Sequence, residues 1–200
     1  MASKVNIWNM ALLACGAKTI TSVDDAVKGV EILGQWYDTI RDDVLREHPW
    51  AFAKTRARLA QTTVPVMTYD YAYTMPSDCV LPLTTNQVAS YPYHIHGATL
   101  ECDYDDTDAD EDDEYLYLEY VQRVTDESLF PAAFVRALAF ALAANVAPSF
   151  GLSANAVVVL EQKAAQALAD AKYKDAREDR ETTTDAWDST EDTWVSGRSM

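Results

Sequence analysis

The segment WAFAKTRARL, Trp50 to Leu59, marks where one sequence pattern stops and another begins. Before it, apolar residues recur at helical spacing; within it, they alternate. Read as a strand, it divides its side chains between two faces: Trp50, Phe52, Lys54, Arg56 and Arg58 on one, Ala51, Ala53, Thr55, Ala57 and Leu59 on the other. One face is aromatic and then cationic, in a chain of 200 residues whose formal charge is −16.

Upstream, Ser3 is placed to cap a helix whose apolar positions Val5, Trp8, Leu12 and Cys15 share one side, and Gly16 supplies a left-handed stop. A second helix is expected from Ser22, with Asp25 completing a capping box and Val30, Leu33, Tyr37, Ile40 and Val44 forming its apolar stripe. Arg46 and His48 put positive or ionisable groups in its last turn, and Pro49 ends it.

Downstream, prolines at 65, 76, 82 and 92 interrupt the chain, and Tyr69, Tyr71 and Tyr73 alternate as on one strand face. YLYLEYVQ, Tyr115 to Gln122, reads as the best strand. Helical signal returns after Asp126, with Pro131 in a first turn and Phe134, Leu138, Leu142 and Val146 along one face. Its many alanines leave room for close helix approach, and Pro148 and Gly151 close it. Ser153 caps a last helix from Ala154 to about Arg180, roughly 40 Å long. Its second half is strongly polar, as a helix leaving the body would be.

The expectation is a mainly α fold with a β insertion (α+β). It is an antiparallel helical bundle with helices about 3–15, 23–48, 129–149 and 154–180, and a small antiparallel β region, about 50–124, between the second and third helices. Residues 1–180 form one domain, and 181–200 an extended, flexible C-terminal tail too polar to bury a core.

Apolar residues make up 48% of the chain, enough for a sizeable core. Pro131 to Ala147, the richest apolar stretch, carries Arg136 and reads as too short for a bilayer; the N-terminus lacks a signal-peptide pattern, so no membrane partner is expected. Cys15, Cys79 and Cys102 are an odd set without metal-knuckle spacing and read as reduced thiols. Net negative charge disfavours gripping nucleic acid, whose affinity comes from cations displacing counterions.

The run DYDDTDADEDDE, Asp103 to Glu114, places Asp103, Asp105, Glu111 and Glu114 on calcium-loop positions, but Thr107 replaces a ligand and Asp108 stands where the turn needs glycine. It reads as a solvated loop, with a cation-binding module as the alternative. His94 and His96 share a strand face without an obvious third ligand, so no metal or cofactor is assigned. Dinucleotide, phosphate-loop, nucleophile-elbow and zinc-protease motifs are absent, and no enzyme is expected. Lys54, Arg56 and Arg58 have three readings: protection of a strand edge, pairing with carboxylates of this chain or a neighbour, or phosphate contact. Trp187 and Trp194, in an otherwise polar tail, read as anchors for a partner's pocket; the alternative is a tail that folds back on its own domain.

NIWNMALLACGAKTITSVDD (6–25), REHPWAFAKTRARL (46–59), YAYTMPSDC (71–79) and the terminal helix pair together resemble the head-to-tail adaptors of short-tailed bacteriophages, the tail tubular protein A-like family. The likeness covers roughly residues 6 to 175. It implies a non-catalytic virion protein at the head-tail junction, made in the host cytoplasm, whose copies form a ring, commonly of twelve. The portal protein and the tail nozzle protein are the implied partners, and DNA passes through the channel without specific binding. On this reading Lys54, Arg56 and Arg58 meet a neighbouring subunit or the portal, and Trp187 and Trp194 reach up to the portal. Another tail-completion or assembly factor is the remaining alternative.

Overall fold

The structure, a computed structural model, describes residues 2–63, 68–88, 90–106 and 115–178. The expected tail, 181–200, lies outside the described residues.

Helix α1 spans Lys4–Ala14. Ser3 is extended and its hydroxyl accepts the Asn6 N–H at 3.3 Å, while Gly16 takes φ +69° just past the end. The second helix, α2, spans Lys28–Arg46 and so begins five residues later than expected. The capping groups around Ser22 form, but they close a free-standing turn. Asp25 Oδ2 accepts the N–H groups of Ser22 and Thr21 at 3.0 and 2.8 Å, and Ser22 Oγ accepts that of Asp24. Those backbone bonds hold the Asp25 carboxyl below its ordinary range. Helix α2 then starts at Val27 without a side-chain cap, and Leu33, Tyr37, Ile40 and Val44 enter the core as its stripe requires.

Helices α3 (Ala132–Val146) and α4 (Ala154–Glu178) follow the β region. Short 3-10 turns at Glu127–Leu129 and Ala147–Phe150 replace the first and last turns expected of α3. Pro131 sits at its N-cap, and Gly151, at φ +77°, ends the second turn. Phe134, Leu138, Leu142 and Val146 are buried, and α3 is the hub on which α1, α2 and α4 all pack. The stretch Ala132–Phe150 is, by length and composition, long and apolar enough to cross a membrane, contrary to the sequence expectation; here three helices pack on it and about half of it is buried. A helix apolar nearly all round is what a central position demands.

Among the described residues, seven strands lie between α2 and α3 and form two antiparallel sheets, giving a mixed α+β fold. The first sheet has the order β1 (Lys54–Arg58), β7 (Tyr117–Gln122), β4 (Cys79–Thr85). The second has the order β2 (Ala60–Thr62), β3 (Tyr71–Thr74), β6 (Thr99–Cys102), β5 (Tyr93–His96). Leu59, 1% exposed, is the corner at which one ribbon switches sheets, and its N–H still pairs with the Leu116 carbonyl at 2.8 Å. Val121 and Val80 face the helical core. Leu116, Leu118 and Tyr120 join Leu59, Tyr73, Leu100 and Cys102 in a second core. The layers are therefore helices, first sheet, second sheet.

Leu138 is fully buried in the hub helix. Leu138→Ala should cost about 2–5 kcal/mol in urea unfolding through lost burial and the cavity left behind. Tyr120 donates to Asp78 Oδ1 at 3.1 Å, and burial, then that bond and the Asp78 charge, push its phenol up to about 12. Above the unfolded value of about 10 the unfolded state ionises first, so stability should fall as pH rises from about 10 to about 12. Urea midpoints measured across that window should show a shallower fall in Tyr120→Phe.

Candidate interaction surface

The opening segment supplies two different devices, because Trp50 and Phe52 are not on the strand. Ala51–Ala53 form a 3-10 turn and β1 starts at Lys54. The turn lets both aromatic rings point into the helices. Trp50, 1% exposed, donates its indole N–H to the Val44 carbonyl at 3.0 Å and meets Phe134 edge-on at 5.0 Å. Phe52 packs on Phe130 and Phe134 at 5.8 and 4.9 Å.

From Lys54 the alternation holds: Ala57 packs against the second core and Leu59 enters it, while Arg56 and Arg58 face out. Among the described residues β1 is an outer strand of its sheet. Arg56 lies opposite Glu119 of β7 and donates Nε–H to its Oε2 at 2.8 Å, with 76% of the arginine side chain still exposed. The Arg58 guanidinium stacks 3.1 Å above the Tyr115 ring. Lys54, at the helical end of the strand, is half-buried. Arg56 and Arg58 thus have partners inside their own chain. A pair this exposed contributes little to stability, so the strip keeps its capacity for other contacts.

The acidic run starts at the end of β6 and comes near this strip at Asp106, which lines the same shallow cleft as Arg58. Its described carboxylates turn back onto the second sheet: Asp103 Oδ1 accepts the Asp70 N–H at 3.0 Å and Asp105 accepts from the Tyr71 phenol. Asp106, 7% exposed, accepts from the Tyr73 hydroxyl at 3.3 Å and the Leu116 N–H at 3.4 Å. Burial, then the Asp106 charge, raises the Tyr73 phenol well above its ordinary value. Asp103 and Asp105, the first two positions of the calcium-loop alignment, therefore serve separate groups; Thr107, Asp108, Glu111 and Glu114 lie outside the described residues. On the outer strand β5, His94 Nδ1 and His96 Nε2 lie 2.8 Å apart and bond each other. Among the described residues no three of His, Cys, Asp and Glu gather where they could hold a metal ion.

A contact that sequence reasoning missed lies where α4 ends. Asp175, 6% exposed, accepts the Ala51 N–H with both oxygens at 3.1 Å and the His48 Nε2–H at 3.1 Å. His48 in turn stands edge-on to Trp50 at 5.0 Å. The polar second half of α4 is thus tied to the turn that launches β1. One signal was available: Asp175 continues the buried stripe of Leu160, Ala167 and Ala171 at steps of seven, four and four residues. Beside it, Lys172 pairs with Glu47 at 2.8 Å, and Asp170 bonds Lys174 and Arg136. Trp187 and Trp194 lie outside the described residues.

No protein-family model matches the chain, and no curated protein matches it in sequence.

Asp175→Ala leaves the partly buried Ala51 N–H without its acceptor and should destabilise the fold by about 1–2 kcal/mol in urea unfolding, with the loss concentrated in hydrogen-exchange protection at the end of α4. His48→Ala, which spares the backbone bond, should cost less.

Proposed function

We propose that this chain is a head-to-tail adaptor of a short-tailed bacteriophage. It is a structural virion protein whose copies form a ring, commonly of twelve in the family it resembles, joining the portal to the tail nozzle and continuing the DNA channel. In this reading the four helices are an antiparallel bundle carrying the two sheets as an insertion, and residues 181–200 are an extended tail that docks on the portal.

The observation that carries the proposal is the order of parts: two helices, a β region launched by the Trp50 to Leu59 segment, then two helices, the last leading into the tryptophan-bearing segment. Helix α4 also favours it. Only Leu160, Ala167, Ala171 and Asp175 of its 25 residues are buried, and Val158, Val159 and Tyr173 are 48, 47 and 64% exposed. A ring needs two unlike, complementary faces on each subunit. The exposed length of α4 and the cationic strip of β1 are unlike surfaces of this kind. A channel wall of chains each at −16 would repel DNA and let it slide.

Light scattering of the protein, alone and with the portal ring of the same virus, tests this. A stoichiometric complex is expected, and its absence under all conditions would reject the reading. Arg56→Glu/Arg58→Glu should lower the assembled mass, yet shift monomer stability by less than about 1 kcal/mol, because both side chains are exposed.

A further inference from the structure

Beside Asp175 lies an open cleft of about 210 Å³ between the start of α3 and the end of α4, lined by Trp50, Pro131, Ala132, Ala133, Phe134, Ala171, Lys174, Asp175 and Glu178. Its floor is apolar and aromatic: Trp50, Phe134 and Ala171 are almost wholly buried. Its size comes from small residues, since Ala132, Ala133 and Ala171 stand where larger side chains would close it.

We propose that this cleft holds the indole of Trp187 from the chain's own C-terminal segment. Three observations select that occupant. The first is position: Glu178, the last described residue, lines the cleft, and Trp187 follows nine residues later. Nine residues reach at most about 30 Å, so the connection is ample and its closure cost small. The second is shape and polarity. An indole is a flat apolar body with one N–H donor, and the cleft offers an aromatic floor with the carboxylates of Asp175 and Glu178 at its wall.

The third is charge. Pro131 gives α3 no side-chain cap, and its first turn carries no acidic residue, so the N–H groups of Ala132, Ala133 and Phe134 present a positive helix end at the cleft. Lys174, which also bonds Asp170, stands on the opposite rim beside the two α4 carboxylates, so the helix end is the main positive feature of the cleft. Trp187 is flanked by Asp185 and Asp188, which would meet the helix end and the lysine as the ring enters. Trp194 lies seven residues further on, with Asp192 and Val195 around it, and lacks that pairing. The docking belongs to the free chain, before any partner takes up the C-terminal segment; it links the end of α4 to the turn that launches β1, over the same buried Asp175, and does not depend on the adaptor reading.

Nuclear magnetic resonance and limited chymotrypsin digestion of the full-length protein test the proposal. Nuclear Overhauser contacts from the Trp187 ring to the Ala132 and Ala133 methyls are expected, with cleavage after Trp187 about tenfold slower than after Trp194. Ala132→Phe fills the cleft from an exposed position and should raise Trp187 cleavage to the Trp194 rate; Lys174→Glu, at an exposed position that leaves the floor intact, should raise it in part. A Trp187 ring with free-peptide shifts and unprotected cleavage overturns the proposal, as does protection carried by Trp194 instead. Contacts that vanish on tenfold dilution would place a second copy's indole in the cleft and overturn the intramolecular assignment.

Discussion

Both cores of this protein depend on one strand being buried on two faces. β7 sends Val121 into the helical core and Leu118 and Tyr120 into the second core, while its neighbour β4 adds Val80, Leu81 and Leu83 to the helical side. Strand geometry makes this possible, and it also makes register critical: a slip of one residue would exchange the two sets of side chains. Two neighbours hold the register. β1 pairs residue for residue from Lys54↔Val121 to Arg58↔Tyr117, while β4 pairs with irregularities that accommodate Pro82 within a strand. From β7 the chain runs through a 3-10 turn directly into α3, the apolar hub of the helices.

That architecture explains which parts of the fold were legible. Period alone separates Lys54, Arg56 and Arg58 from Ala57 and Leu59, because a strand beside β7 has one face to the second core and the other to solvent. It could not show that Trp50 and Phe52 belong to a turn, since i, i+2 spacing is equally compatible with a strand. The stripes of α2 and α3 were legible for the same reason that they are stable. The start of α2 was not: the Ser22 and Asp25 signal is genuine local chemistry, but nothing in it says whether a helix continues beyond the turn it closes. The exchange between sheets at Leu59 follows from tertiary packing, which the sequence pattern does not encode.

Electrostatics was legible only in outline. A strongly acidic chain with one cationic ribbon invites the search for an acidic partner, and one partner, Glu119, proves to be sixty-three residues away on the adjacent strand. The acidic run, in turn, invites a cation, yet its first carboxylates are engaged by the Tyr71 and Tyr73 phenols and by backbone N–H groups. Residue type gives the chemistry a group can perform. Register and topology decide which neighbour receives it, and both pairings depend on strands meeting across long sequence separations.

The same reasoning gives Asp175 its significance. A carboxylate on a helix's buried stripe is costly unless it is fully hydrogen-bonded, and here a backbone N–H and an imidazole meet it. Because those donors are Ala51 and His48, the direction in which α4 ends is fixed to the turn between α2 and β1. That turn also places Trp50 under the helices and sets the first residue of the cationic strand. The end of α4 and the start of the β1 strip are therefore joined through two hydrogen-bonded residues, Ala51 and His48.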